Sequence, residues 1–209
     1  SQLTEEIERL APVTQNWEGA GAALSEAMDQ KGGELSPEVA RDLCVRLATW
    51  QRDKVEDARA AEKALEKALE FEPNSDEVLV LLEQLRTAPG RERDLVQTLR
   101  RRAKLQLDDE RREEVYRRAK ELADAMGDAA LAEEVLRELL AQDDTNLWAL
   151  AELTELREKA GDYKETFELI VRRSELRAQG DAVRALRHRA AGIARRHLSD
   201  NERAIGLYE

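Results

Sequence analysis

Apolar residues recur along most of the chain at three- and four-residue spacing, and that period predicts helices. Residues 76–88 show it clearly, with Val78, Leu79, Leu81, Leu82 and Leu85 on one face. Residues 92–106 repeat it with Leu95, Val96, Leu99, Ala103 and Leu105. The same reading gives helices over 3–11, 17–30, 37–51, 55–71, 110–125, 128–141, 145–159, 163–178, 181–197 and 201–209. Polar punctuation separates them. Ser36 before Pro37, Ser75 before Asp76-Glu77, Asp162 before Tyr163 and Asp200 before Asn201-Glu202 read as helix starts. Gly32-Gly33 closes the helix over 17–30.

The punctuation is itself periodic. Gly90, Gly127, Gly161 and Ser199 follow one another at intervals of 37, 34 and 38 residues. Gln15 to Gly90 spans 75, two periods, with a less marked turn expected near Arg52-Asp53-Lys54. Each period holds two helical stretches. A helix of about 14 residues spans roughly 21 Å and cannot bury its apolar face alone. The helices must therefore pair as hairpins, and the hairpins must stack.

This pattern resembles the tetratricopeptide repeat (TPR) family. The segment from Ala61 to Asn74 carries the resemblance best, with Ala61, Leu65, Ala68 and Pro73 at the second-helix signature positions. Asn16 to Ala27, Gly127 to Leu136 and Asp200 to Ile205 carry the same second-helix pattern, and Gly161-Asp162-Tyr163 the interhelix turn. Gly192 falls where a first helix of the family carries Gly for close contact. The chain departs from the family at Thr166 and Leu95, where a small Ala is usual, and at Lys120 and Glu83 on first helices. The resemblance implies an all-α, right-handed solenoid of stacked antiparallel hairpins, about 5.5 repeats forming one domain over 1–209. The expected hairpins are 3–30, 37–71, 76–106, 110–141, 145–178 and an incomplete 181–209. The start at Ser1 and the end at Glu209 in mid-pattern read as a fragment of a longer protein.

Composition fits this picture. Of the 209 residues, 38% are charged and only 4% aromatic, as expected for long helices with little sheet. No apolar run approaches the ~18 residues of a membrane span, so no membrane insertion is expected. One cysteine, Cys44, forms no internal disulfide. The excess of Arg over Lys fits a GC-rich bacterial genome. A cytoplasmic location is expected, with the periplasm left open by the fragmentary ends.

Net charge is −11, distributed as −9 over residues 1–90, −6 over 91–170 and +4 over 171–209. The acidic total argues against nucleic acid as a partner. The basic end suits an acidic partner or a solvated helix face.

Catalytic chemistry is hard to find. His188 and His197 are nine residues apart, whereas two ligands on one helix face need three or four. Paired carboxylates such as Asp108-Asp109, Glu113-Glu114, Glu133-Glu134 and Asp143-Asp144 point about 100° apart on a helix and read as solvated faces. Cys44 reads as a small core residue. Gly19-Ala20-Gly21 reads as close helix packing, since no strand precedes it. No enzyme, cofactor or metal is expected.

In TPR arrays the first helix of each hairpin lines a concave groove. By that resemblance the groove residues are Arg46 and Trp50, Val80 and Gln84, Arg117 and Glu121, Trp148 and Glu155, and Arg189 and Ile193. An exposed aromatic among polar groups is a plausible anchor for a peptide. Trp50 and Trp148 equally suit gaps between hairpins, and Trp17 suits packing between hairpins. The expected function is a non-catalytic scaffold that binds a protein or peptide in the groove. A structural spacer or oligomerisation segment, self-associating through 201–209, and a regulatory module of a larger enzyme are the alternatives.

Overall fold

The computed structural model describes residues 9, 11, 16–178 and 180–208. The proposed helix over 3–11 therefore lies almost wholly outside the described residues. The chain divides into two compact units, residues 1–107 and 108–209. Among the described residues every regular element is helical.

The first unit holds α1 (Trp17–Lys31), α2 (Pro37–Asp53), α3 (Ala58–Phe71), α4 (Asp76–Arg86) and α5 (Glu92–Leu105). The second holds α6 (Asp109–Ala125), α7 (Ala129–Gln142), α8 (Leu147–Lys159), α9 (Tyr163–Glu175), α10 (Asp181–His197) and α11 (Asn201–Gly206). These spans agree with the expected helical stretches to within three residues. Within each unit every helix packs on its neighbours in sequence. Among the described residues the hairpins are α2–α3, α4–α5, α6–α7, α8–α9 and α10–α11.

The turn inside each hairpin has one backbone solution. Its pivot residue lies in the left-handed region: Glu56 (φ 60°), Gly90 (82°), Gly127 (69°), Gly161 (77°) and Ser199 (55°). The next residue starts the second helix, and in four of the five turns it is an aspartate. Asp57, Asp128, Asp162 and Asp200 each accept a hydrogen bond from the backbone N–H three residues on, at 2.9–3.0 Å. That bond satisfies one of the amides a helix start leaves unpaired. Glycine adopts the pivot conformation freely, whereas an L side chain there costs about 1–2 kcal/mol. The turn expected near Arg52-Asp53-Lys54 lies slightly later. α2 continues to Asp53, and Glu56 is the pivot.

Ser36 caps α2 with Pro37 in the first turn. Ser75 departs from expectation: it is buried, but its hydroxyl makes no capping bond. Asp76 and Glu77 still place negative charge in the first turn of α4.

The core is aliphatic. Leu65, Leu79, Leu82 and Leu99 are each 1% exposed in the first unit. Leu136, Leu139, Leu150, Leu153 and Ile170 play that part in the second, at 0–1%. Each buried leucine contributes about 2 kcal/mol of transfer free energy. The unusual residues of the repeat have local explanations. Leu95 and Thr166 are both buried. Glu83 ion-pairs with Arg102 at 2.7 Å, and Lys120 with Glu152 at 2.5 Å. Gly21 is a close approach: a Cβ there would meet the Gln51 amide at 2.6 Å. Gly192 is not a close helix contact, since a Cβ there would meet only the Arg196 guanidinium at 3.1 Å.

The two units also share a longer register. A shift of 71 residues lays α3–α5 onto α7–α9. The helix starts Ala58, Asp76 and Glu92 fall on Ala129, Leu147 and Tyr163. Asp57 falls on Asp128, Leu65 on Leu136, Glu62 on Glu133, Arg86 on Arg157 and Gly90 on Gly161.

Candidate functional site

The first helices of the second unit supply the most connected surface. Asn146, which caps α8, donates to Glu113 on α6 at 2.7 Å. Arg117 on α6 lies over the Trp148 ring on α8, 4.2 Å from its centroid, and is held there by Glu113 at 2.5 Å. Lys120 pairs with Glu152. Glu155 on α8 then pairs with Arg189 on α10 at 2.8 Å, and Arg189 also pairs with Glu158. Bonds of this kind run from α6 through α8 to α10. They hold charged and aromatic side chains in fixed positions, which limits the entropy lost on binding.

Of the ten groove residues expected from sequence, four therefore meet in contacting pairs: Arg117 with Trp148, and Glu155 with Arg189. Glu121 and Gln84 are exposed, and Arg46 and Val80 half-buried. Two need correction. Trp50 is 4% exposed and Ile193 2%. Trp50 faces inward against Trp17 of α1, with ring centroids 5.7 Å apart. Ile193 lies in the core made by α9, α10 and α11. Neither offers surface to a partner. Trp17 is half-buried on Trp50 and under Lys54, which fits its expected packing role.

The electrostatics centre on an arginine staple that both units carry. In the first unit, Arg86 at the end of α4 bonds Glu62 at 2.7 Å and Glu66 at 2.6 Å on α3, and Thr98 at 2.8 Å on α5. Arg91 also bonds Glu62, at 2.7 Å. In the second unit, Arg157 at the end of α8 bonds Glu133 on α7 at 3.0 Å, Asp162 at 2.5 Å, and pairs with Glu165 at 2.7 Å. Burial disfavours the charges of Glu62 and Glu133. The surrounding guanidiniums outweigh it and hold both carboxyls below the usual range.

Sequence reasoning missed one further group, on a second helix. Arg173 of α9 is half-buried, and it makes no hydrogen bond or ion pair with any described residue. Its Nε is buried and unbonded. Burial, then the positive charges of Arg177 and Arg189, push its pKa below the usual arginine value, with Glu155 opposing. The 71-residue register could have flagged it, because the matching Arg102 has acidic partners.

Other chemistry-bearing groups are accounted for locally. Cys44 is 1% exposed beside a cavity of about 250 Å³ lined by Met28, Leu47 and Lys67. Burial pushes its thiol up to about 11, so it is not a thiolate at neutral pH. His197 stacks on Tyr163 at 3.6 Å, while His188 lies against Tyr208 at 4.9 Å. Among the described residues no three His, Cys, Asp or Glu side chains gather as a metal site. Among the described residues no helix is long and apolar enough to cross a membrane.

Tandem hairpins with pivots 34–38 residues apart decide the architecture. The chain has a TPR-like fold. No family model matches it, and no curated protein matches it. Among solved structures, it is similar to the MamA protein, at 15% identity over 80% of this chain and 87% of that one, with a TM-score of 0.41. It is similar to Pseudomonas aeruginosa PilF at 19% identity, over 99% of this chain and 86% of that one, TM-score 0.40. A third is YrrB, described as a TPR protein with an unusual peptide-binding site, at 11% identity, over 88% of each chain and TM-score 0.39. Likeness at this level bears no functional weight.

Proposed function

We propose that the chain is a protein-interaction scaffold that binds a peptide or partner protein along the first helices of its second unit. The observation that carries this reading is Trp148 under Arg117 at 4.2 Å. The ring is half-buried, so it is already oriented, and the guanidinium beside it adds a directional donor. Aromatic and arginine side chains in this setting are the commonest anchors of protein interfaces. The polar frame of Glu113, Asn146, Lys120 and Glu152 supplies a rim around them.

Selection of displayed random peptides on the purified protein tests this. The wild type should enrich a peptide family, and Trp148→Ala should weaken binding of that family at least tenfold. No enrichment, or enrichment insensitive to Trp148→Ala, ends the groove reading.

A further inference from the structure

The 71-residue register turns one arginine into a question. Arg102 on α5 and Arg173 on α9 occupy the same position. In the first unit Arg102 is paired with two acids, with Nε bonded to Asp76 at 3.0 Å and Nη1 to Glu83 at 2.7 Å. Burial opposes its charge, but those two carboxylates more than compensate and raise its pKa. At the matching positions the second unit has Leu147 and Thr154. Thr154 is fully buried and spends its hydroxyl on the Leu150 carbonyl. Neither residue accepts from Arg173.

The neighbouring position changes in the same direction. Gln106 of the first unit becomes Arg177 of the second. The four positions thus go from one positive and two negative side chains to two positive ones. Arg189 adds a third guanidinium, and its own acids, Glu155 and Glu158, hold it in place. A half-buried cation with an unbonded Nε is costly, and the cost falls once an anion reaches it. An aligned guanidinium binds carboxylate through two parallel N–H···O bonds.

We propose that Arg173, with Arg177 and Arg189 beside it, is an oxyanion-binding site that receives an aspartate or glutamate side chain of an acidic partner peptide. The peptide's carboxylate takes the place that Asp76 and Glu83 fill in the first unit. This rests on the scaffold reading for the occupant being a peptide, because Arg189 and Glu155 join the site to the first-helix surface of α8 and α10. A free small anion is the alternative occupant.

The probe is a fluorescein-labelled octaglutamate peptide, followed by anisotropy on the full chain at low and physiological salt. Arg173→Met should weaken its binding at least tenfold. Leu147→Asp should do the same by restoring the acid at the register of Asp76, without removing the arginine. Arg195→Met, an exposed change on α10, should alter affinity less than twofold. The melting temperature of Arg173→Met should not fall, since no native bond is lost. Equal losses for Arg195→Met and Arg173→Met would mean diffuse charge attraction and overturn the site. So would unchanged binding by Arg173→Met. Inorganic phosphate bound through Arg173, with no peptide binding, overturns the peptide as occupant. If octaglutamate binding needs Arg173 but Trp148→Ala leaves peptide selection intact, the groove reading fails and the anion site stands. The reverse pattern removes the anion site and keeps the groove.

Discussion

The hairpin α4–α5 and the hairpin α8–α9 are built on the same plan and use it differently. Both end their first helix with an arginine staple, and both turn on a glycine pivot. In α4–α5 Arg86, Arg91 and Arg102 pair with acids from within the unit. In α8–α9 the staple is kept, but Arg173 is left without its acids. The lesson is that a repeat separates two jobs by position. Some positions hold consecutive hairpins together and must stay paired. Others can lose their partners without loss of the fold, and these become available to something outside it.

If the correspondence of the units is real, matched core changes should cost alike. Leu65→Ala and Leu136→Ala occupy the same position at 1% and 0% exposure, and each should destabilise by about 3 kcal/mol. Denaturant unfolding of the two variants checks this. A cost in one unit more than twice that in the other would break the correspondence.

The staples should differ in strength. Arg86 and Glu62 are 12% and 10% exposed, so Arg86→Ala strands a nearly buried carboxylate and should cost about 3 kcal/mol. Arg157 and Glu133 are 21% and 23% exposed, and Arg157→Ala should cost less, about 1–2 kcal/mol. The pH dependence has a definite sign. Glu62 and Glu133 are held below the ordinary carboxylate value, so their contribution is present above about pH 4.3 and fades as pH falls through their lowered pKa values. Each Arg→Ala variant should show a smaller loss of stability on acidification than the wild type, measured by urea midpoints from pH 7 to pH 3. A wild-type stability that does not fall across that range would exclude the staple as an acid-sensitive element.

The smallest effects should come from the pivots. Gly161→Ala puts a Cβ into the left-handed region at φ 77° and should cost about 1 kcal/mol. Glu56→Gly removes that strain at φ 60° but adds freedom to the unfolded chain, for a net gain of about 0.5 kcal/mol. Thermal melts of the pair should move in opposite directions.

Much of this was legible in the sequence, and the limits have physical causes. The helices follow from leucine periodicity, and three of the five pivots are glycines that punctuate it. Glu56 was missed as a pivot because nothing in a glutamate side chain asks for positive φ. Trp50 lies on the α2 face that meets α1, and periodicity gives a face without saying what covers it. Ile193 shares that difficulty, with α9 and α11 as its cover. Arg117 and Trp148 are 31 residues apart, and their contact follows from hairpin stacking rather than local pattern. Arg173 was readable only by comparing it with Arg102, because its meaning lies in the residues that are missing around it.

Packing each helix chiefly on its sequence neighbours also governs how the chain finds its structure. Contacts close over a few tens of residues, so little loop entropy must be lost before a contact forms. Low contact order of this kind goes with fast folding. Each hairpin can nucleate on its own turn, Asp-capped in all but α4–α5, and pass order to the next hairpin of its unit. During synthesis, a hairpin emerging first would already have most of its partners in hand before the following one appears.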